Sequence, residues 1–506
     1  MKKSIRLIIF FISLLRVIPV YSEESPSKVL RWGADSEGGA PYIFQDPANP
    51  NRVIGFEVDL VNELAKEMKM KPEFVQNQWD GLIPGLNRGN YDIVVNGLEI
   101  TEDRKAEIFF SDPYYVTYEQ LTVRKDNATI HSLSDCKDKV VGTLKFSLAQ
   151  RILEDQKNIQ VRSYEGQINA YQDLENGRLD AVLMDFPIAM YYGQPNPKLK
   201  SIDSPISRME YGMGIRKKDA YLLGEVNKAL SHLSENGKMR EIYERWGLWN
   251  NMMADFLNDK KLSRTSPTEY EAYLKAMGMY RGWKEKFYQY AGYLPLLIKG
   301  AVTTVQLSLL AMVVAVILGL FITLVRLYAP TPFSWFATSY VEVVRGTPLL
   351  IQLFFIFYAF PSIGITFSPF LAALVGLGLN YAAYEAENYR AGILAIPRHQ
   401  LEAALALGMS RLQALRHIII PQAIRIIIPP VTNDFISLLK DSSLVSVITL
   451  VELTKVYGQL ASTYYDYFGI GMLVAVMYFL IGLPFVRLSR FAETYFSFEK
   501  KNPSRN

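Results

Sequence analysis

Long apolar runs fill the C-terminal part of this 506-residue chain and constrain its fold more than any other feature. A helix needs about 20 predominantly apolar residues to cross the hydrocarbon core of a bilayer. The runs that reach this length lie at about Leu294–Leu327, Trp335–Phe360, Phe367–Tyr389, Ile424–Ile448 and Phe468–Phe485. We therefore predict an all-α membrane domain of about five transmembrane helices over residues 293–496.

Basic residues are distributed unevenly between the two sides of these spans. On one side lie Arg326, Arg398, Arg411, Arg416, Arg487, Arg490, Lys500 and Lys501. The opposite loops, Pro361–Ser368 and Glu452–Tyr467, hold only Lys455 as a basic residue. Because loops rich in Lys and Arg stay in the cytoplasm, an odd number of spans places everything before the first span outside.

Residues 1–22 have the pattern of a secretory signal peptide. Basic residues precede a short apolar core from Leu7 to Leu15, and small residues follow it. Arg16 interrupts the core, so an uncleaved anchor is the alternative. Either form exports the next segment, in agreement with the charge distribution.

Residues 29–248 alternate apolar strand candidates with amphipathic helix candidates, which predicts a soluble α/β domain. Glu119–Val123 and Tyr211–Ile215 are candidates for two crossings between lobes. Two crossings form a hinge, and the cleft between the lobes would hold a ligand. Cys136 is the only cysteine, so this domain folds without an internal disulfide.

Residues 249–292 are predicted to be a linker followed by an interfacial helix. The helix contains the aromatic residues Tyr280, Trp283, Phe287, Tyr288 and Tyr290. Such a pattern is typical of an amphipathic helix at a membrane surface. Packing of this helix against the soluble domain is the alternative.

Residues 397–421, which we call the elbow, separate two predicted spans but are too polar to cross a bilayer. Pro397 opens a first short helix, Gly408 ends it, and Ser410 can cap a second helix that runs to Pro421. Ala403 and Ala404 have small side chains, so this face of the first helix could fit into a groove of another protein. An ordinary polar loop is the alternative from these features alone.

The elbow resembles the cytoplasmic coupling loop of ABC importer permeases. Glu402-Ala403-Ala404, Gly408 and Pro421 match that motif, with Ile420 in place of a leucine. Val341–Leu350 and Phe435–Leu444 are similar to the polar amino acid permeases. The resemblance implies that the matched elbow residues contact a cytoplasmic ATPase dimer. ATP is then used by this partner, since the chain has no phosphate-binding loop of the Gly-x4-Gly-Lys-Ser/Thr type.

The exported domain resembles the polar amino acid class, family 3, of periplasmic binding proteins. The matching stretches are Trp79–Asp92, Gly97–Arg104, Phe110–Tyr115 and Gly177–Asp185. The resemblance implies the bilobed type II fold of that class, with an amino acid bound in the cleft.

The resemblance also implies roles for individual residues. Arg104 would hold the ligand carboxylate, for which a guanidinium is suited because it binds both oxygens. Asp185 and the Gly97 carbonyl would hold the ammonium. Surface salt bridges are the alternative for Arg104 and Asp185.

Three further residues match contact positions of the family. Trp79 would form an apolar wall, Ser147 would contact the carboxylate at a helix start, and Asp35 lies where binders of basic amino acids contact the side chain. For Asp35 and Ser147 a purely structural role is an equal alternative.

The sequence departs from the family at three places in the predicted cleft. Glu99 replaces a Ser or Thr, Gly38-Gly39 replaces an aromatic wall, and Lys145-Phe146 replaces Gln-Gly. Glu99 would favour a cationic ligand or contact its ammonium, or it would pair with Arg104 in the empty site. Specificity cannot therefore be copied from a relative.

Polar residues in the predicted spans are candidates for a translocation path, because charges at membrane depth are costly. Asn380, Glu385 and Asp434 are the best placed, with structural pairing as the alternative. Glu342 and Arg345 are spaced to pair with each other. Five spans are few for an enclosed pathway, so we expect a homodimer or a heterodimer with a related permease.

These features predict the substrate-binding and permease subunit of an ATP-driven amino acid importer in the bacterial cytoplasmic (inner) membrane. It would bind a polar amino acid, with basic amino acids among the candidates, and catalyse no covalent reaction; we expect no bound cofactor, metal or nucleic acid. A ligand-gated channel or sensor is the alternative, but it would have a re-entrant pore loop and no elbow. An exported enzyme on the same fold would need an acid/base pair, for which Glu99 is the one candidate.

Overall fold

The computed structural model describes residues 28–47, 49–203, 205–259, 265–277, 283–464 and 466–496. The signal peptide predicted for residues 1–22 lies outside this part, as does Tyr280 of the predicted interfacial helix. Strands and helices alternate up to residue 249, and only helices follow. The predicted order, a soluble α/β part before an all-α part, is confirmed.

All strands of the described chain lie in the soluble part. They are β1 (Val29–Ala34), β2 (Phe44–Gln45), β3 (Val53–Ile54), β4 (Lys71–Gln76), β5 (Ile93–Val94), β6 (Phe109–Phe110), β7 (Tyr115–Arg124), β8 (Val140–Leu144), β9 (Gln160–Tyr164), β10 (Ala181–Asp185), β11 (Leu199–Ser201), β12 (Ile206–Tyr211) and β13 (Gly214–Ile215). The first lobe has a sheet in the order β4-β1-β5-β13-β6. The second lobe has the order β11-β7-β10-β8-β9, with β12 also pairing with β7.

Helices cover both sheets. Their bounds are Phe56–Glu67, Leu82–Arg88, Glu102–Glu107, Leu148–Glu154, Gln167–Glu175, Ala220–Glu235 and Lys238–Arg245. In the first of them Phe56, Leu60 and Leu64 recur at helical spacing and are fully buried against the sheet. This spacing places apolar side chains on one face, and burying that face stabilises the helix.

The chain crosses between the lobes at residues 111–114, between β6 and β7, and at Gly212–Met213, between β12 and β13. The second crossing falls within the predicted Tyr211–Ile215. The first prediction, Glu119–Val123, is wrong, because these residues pair with β10 inside the sheet of the second lobe. Strand β7 is 10 residues long and mixes polar with apolar residues, so its sequence does not mark where the chain changes sheets.

The linker packs partly on the soluble domain. Helices Asn251–Phe256 and Thr268–Met277 follow the last helix of the first lobe, and Tyr273 is buried against Tyr191 and Phe44. The predicted interfacial helix is not a separate element. It is continuous with the first span in the helix Trp283–Tyr328, whose 46 residues make it about 69 Å long.

Three helical stretches in the described chain are long and apolar enough to cross a membrane: Lys286–Tyr328, Arg411–Ile448 and Tyr467–Phe491. The predicted span Phe367–Tyr389 lies in the helix Pro369–Leu394, which is more polar and does not meet that composition. The helix Tyr467–Phe496 ends the described chain.

The predicted span Trp335–Phe360 falls on two helical stretches that are not collinear. Helix Thr331–Gly346 and the helical stretch Leu349–Ile363 are bent by 108° relative to each other, so they form either one broken span or a re-entrant segment. The bend lies at Thr347-Pro348, where the backbone of Thr347 is extended. A residue before proline is disfavoured in the helical conformation, and hydropathy does not register this.

The elbow begins as predicted and ends differently. Helix Arg398–Ala406 is followed by Gly408 in the left-handed conformation (φ 86°), and Ser410 forms a capping box with Gln413. The second helix does not stop at Pro421 but continues helically from Arg411 to Ile448. A π turn at Leu415–Ile419 loosens the hydrogen-bond ladder just before the proline, which has no N–H to donate.

Candidate ligand-binding cleft

A cleft that is partly open to solvent lies between the two lobes. Its walls include six of the seven predicted ligand-binding residues: Asp35, Trp79, Gly97, Glu99, Ser147 and Asp185. The seventh, Arg104, lies behind Glu99 and does not line the cleft. The structure therefore brings the predicted set together around one cavity.

Arg104 is already paired in this structure. Its Nη1 donates to the Glu99 carboxylate, and also to the Glu99 carbonyl at 3.0 Å. Its other amino group donates to the carbonyl of Phe146 in the second lobe at 3.1 Å. Of the alternatives open for Glu99, the structure shows the ion pair with Arg104.

Glu99 also reaches across the cleft. Its second carboxylate oxygen accepts a hydrogen bond from the main-chain N–H of Leu148 at 3.0 Å. Ser147 precedes this helix as its cap and accepts from the Gln150 N–H at 3.2 Å. The Glu99 carboxylate thus binds both a guanidinium and a helix N–H, the kinds of donor that a ligand carboxylate requires.

Asp185 ends strand β10, and tyrosine hydroxyls hold its carboxylate. Tyr42 donates to it at 3.1 Å, and Tyr211 donates to the same oxygen. Burial, and then the charge of Glu99, raise the pKa of Asp185 to about 7. An ammonium group bound at Asp185 would supply the positive charge that this buried carboxyl lacks.

Glu119 lies beside Asp185 in the second-lobe sheet. The two residues are direct cross-strand partners of β7 and β10, and Glu119 is fully buried. Burial and the charge of Asp185 raise the pKa of Glu119 well above its usual value. The sequence analysis named Glu119 only as part of a predicted lobe crossing, because no neighbour along the chain indicates that it pairs with Asp185.

Asp35 is held in place by three donors. Its carboxylate accepts from Gln76 Nε2 at 2.9 Å, from the Glu37 N–H at 3.0 Å and from the Trp79 N–H at 3.0 Å. Its side chain is almost buried, with 6% exposure. The position of Asp35 therefore depends on the loop that follows β1.

Direct contacts bridge the lobes around the cleft. The indole of Trp79 donates to the Lys145 carbonyl at 3.1 Å, and Arg151 pairs with Asp103 at 2.7 Å. With the Glu99–Leu148 bond, these contacts hold the lobes together through groups of the protein itself. The lobes are thus in contact across the cleft without a ligand between them.

Tyr42 and Gly97 shape one wall. Gly97 has φ 59°, and a Cβ there would lie 2.9 Å from the Tyr42 ring, so both backbone and packing require glycine. Tyr42 provides an aromatic wall that the sequence predicts to be missing at Gly38-Gly39.

The predicted translocation residues lie on two packed helices of the membrane domain. Asn380 is nearly buried and donates to Gln352 at 3.1 Å. Glu385 is fully buried, and Asp434 accepts from Asn388 at 2.8 Å. All three lie within the helix bundle, a location that fits both a role in a translocation path and a role in structural pairing.

The predicted ATPase-contacting residues lie at the elbow surface. Glu402, Ala403, Gly408 and Pro421 are exposed, whereas Ala404 is buried. Leu407 and Leu412 are exposed by 85% and 75%. Apolar side chains this exposed beside a charged residue are typical of a surface that binds a partner.

Two family models match the chain. Residues 30–248 match the bacterial extracellular solute-binding proteins, family 3. Residues 311–494 match the binding-protein-dependent transport system inner membrane component. Together they cover the soluble domain and most of the helical part.

Known relatives match each part separately. L-cystine transport system permease protein TcyB of Bacillus subtilis (strain 168) is 44% identical over 161 residues, which are 32% of this chain and 69% of that protein. ABC transporter arginine-binding protein 1 of Escherichia coli (strain K12) is 30% identical over 209 residues, 40% of this chain and 85% of that protein. L-cystine-binding protein TcyJ of the same strain is 32% identical over 41% of this chain and 78% of that protein.

A permease of this family works with an ATPase and within a membrane, and the apolar helices are those of a multi-pass membrane protein. The chain thus belongs to the amino acid ABC importers, and it carries the solute-binding domain and the permease domain of such an importer on one polypeptide.

Proposed function

We propose that the imported amino acid is basic. The observation that carries this proposal is the charge of the cleft. Of the described residues that line it, four are carboxylates (Asp35, Glu99, Glu165 and Asp185) and none is basic. A ligand with a second positive charge would balance this wall better than a neutral or acidic amino acid.

Each end of such a ligand has a matching group. Its ammonium would bind Asp185 and the Gly97 carbonyl, and Trp79 would pack on its side chain. Its carboxylate would bind Arg104 beside Ser147 after displacing Glu99. The side-chain cation would face Asp35, and the similarity to an arginine-binding protein supports this orientation.

The elbow would transmit the ATP-driven conformational change of the ATPase to the permease domain. In this proposal Glu402, Ala403, Ala404, Gly408 and Pro421 contact a separate cytoplasmic ATPase dimer. Two permease domains, identical or related, enclose the pathway. The chain lies in the cytoplasmic (inner) membrane of a bacterium with its binding domain outside. It binds no cofactor itself and catalyses no covalent reaction.

Calorimetric titration of the purified full-length protein tests the cargo. Arginine, lysine and histidine are compared with glutamine, glutamate and cystine. At least one basic amino acid should bind about tenfold more tightly than glutamine, a difference of about 1.4 kcal/mol. Asp35→Asn should lose this preference and keep glutamine binding, whereas Arg104→Ala should lose both. Tighter binding of a neutral or acidic amino acid would contradict the proposal.

A further inference from the structure

The helix Leu453–Tyr464 of the membrane domain has one apolar face and one polar face, which the sequence analysis did not identify. Leu453, Val456 and Leu460 are fully buried with Tyr293 and Leu297 of the first span. Lys455, Gln459 and Thr463 recur every four residues and therefore share another face. We call this face the platform.

The platform contacts the loop that follows β1 in the first lobe. Gln459 Nε2 donates to Ser36 Oγ at 3.0 Å, and the Gln45 N–H donates to Thr463 Oγ1 at 3.3 Å. The Lys455 ammonium lies 3.1 Å from the Glu37 carboxylate and is only 2% exposed. A buried cation requires its partner, because leaving either charge alone is strongly unfavourable.

Glycine at position 458 permits this approach. A Cβ there would lie 2.5 Å from a carboxylate oxygen of Glu37. Glu37 therefore lies directly against the platform helix, beside Lys455. A second contact supports the same docking, because the Arg88 guanidinium of the first lobe lies over the rings of Phe357 and Tyr358 at 5.0 and 5.3 Å.

Two short paths lead from the platform to the cleft. Ser36 Oγ, which accepts from Gln459, donates to Gln76 Oε1 at 2.7 Å, and Gln76 Nε2 donates to Asp35 at 2.9 Å. Glu37, which pairs with Lys455, donates its N–H to the same carboxylate oxygen of Asp35 at 3.0 Å. Two of the three donors that hold Asp35 are thus connected to the membrane domain.

We propose that the platform is a positioning surface for the ligand site: docking of the first lobe on Lys455 and Gln459 holds Asp35 in its ligand-binding position, and undocking releases it. Ligand affinity then depends on a residue of the membrane domain that touches no ligand. The second lobe is left to open and close against a first lobe that stays docked. This inference rests on the proposed basic cargo only in one respect: its binding test uses arginine as the ligand.

The test compares full-length variants by two measurements, amide hydrogen exchange of residues 35–46 and 76–80, and calorimetric binding of arginine. Lys455→Glu should increase exchange in both segments, because the Glu37 and Trp79 N–H groups lose their fixed acceptor. It should also weaken arginine binding about tenfold or more, as expected when one partner of a buried charge pair is replaced. Combining Lys455→Glu with Glu37→Lys should restore both readouts. Lys228→Met, an exposed lysine on a distant helix, is the control.

Wild-type exchange and affinity in Lys455→Glu would overturn the proposal, as would a charge swap that restores neither. If arginine does not bind to the wild-type protein, the basic cargo is wrong and exchange alone decides: faster exchange that the swap reverses supports the platform, and unchanged exchange overturns it.

Discussion

Glu99 and Leu148 are joined across the ligand cleft by a 3.0 Å hydrogen bond from the Leu148 N–H to the Glu99 carboxylate. Because the same carboxylate holds the Arg104 guanidinium, it occupies the donors that an amino acid carboxylate would use. A ligand with a carboxylate must displace Glu99 before it reaches Arg104.

Replacing Glu99 should therefore tighten binding. Glu99→Thr removes the carboxylate that pairs with Arg104 in the empty site, and a hydrogen bond to a charged group is worth about 1.5–3 kcal/mol, so we expect affinity for arginine to rise about tenfold. Neutral amino acids should gain more, because the cleft loses a negative charge. Calorimetric titration measures both effects. Glu99→Gln, which keeps the shape, is the matched variant, and weaker binding in Glu99→Thr would refute the displacement.

Ligand affinity should depend on pH through Asp185, whose pKa is raised to about 7 by burial and by Glu99. An ammonium binds the ionised carboxylate, so below about pH 7 binding must release a proton, and affinity should fall by up to about tenfold per pH unit. Calorimetry in buffers with different ionisation enthalpies measures the proton directly. Binding that is independent of pH between about 5 and 8 would exclude this role of Asp185.

Asp185 should also make the stability of the ligand-free protein depend on pH, but in the opposite direction to ligand affinity: stability should fall as pH rises. Since the folded pKa of Asp185 is raised from 3.8 to about 7, the folded state binds more protons in that window. The contribution of Asp185 is therefore complete below 3.8 and is lost as pH rises through about 7. Asp185→Asn should raise the melting temperature of the ligand-free protein at about pH 8 and have a smaller effect at about pH 5. Equal shifts at both pH values would speak against it.

Gly408 gives the elbow its turn, with φ 86° and open space around its Cβ position. A β-branched residue there meets only the backbone penalty, about 1–2 kcal/mol, whereas asparagine tolerates this conformation. Gly408→Val should reduce ATP-driven uptake in vesicles, and Gly408→Asn should retain it. Ligand binding should be the same in both variants. Loss of uptake in neither variant would show that the turn is not needed for coupling.

Gly319 allows two membrane helices to pack closely. A Cβ there would lie 2.7 Å from Glu385 Cβ and 3.0 Å from the Ala382 carbonyl. Gly319→Ala should destabilise the protein by about 1–3 kcal/mol, as overpacking does. Melting temperature in detergent measures this. Gly482→Ala, where a Cβ meets nothing within 4 Å, is the control, and equal melting temperatures would contradict close packing.

Local patterns predicted much of this structure. Alternating strands and helices predicted the α/β part, and Gly408 and Ser410 predicted the turn of the elbow. The bend at Thr347-Pro348 was missed because hydropathy sums composition and does not sense backbone conformation. The first crossing was missed because polar and apolar residues are mixed along β7, so the sequence does not mark the point where this strand joins its sheet.

The cleft was predicted as a set of residues but not as a network. The resemblance to the family 3 binding proteins brought Asp35, Trp79 and Asp185 together, whereas the partner of Arg104 depended on distances that only the folded chain defines. The platform was not predicted either. Lys455 entered the sequence analysis as one charge in an outer loop, and nothing local to it indicates Glu37, which lies far away in the chain.

Asp185 and Glu119, side by side in the second-lobe sheet, have a practical consequence. Burial of these two carboxyls raises both pKa values, so the empty lobe lacks a counter-charge that a bound ammonium supplies. Any molecule that binds only the folded state raises its melting temperature, and here the cargo also supplies the missing positive charge. A thermal-shift survey of small amines and amino acids should therefore rank candidate cargoes before any transport assay has been built.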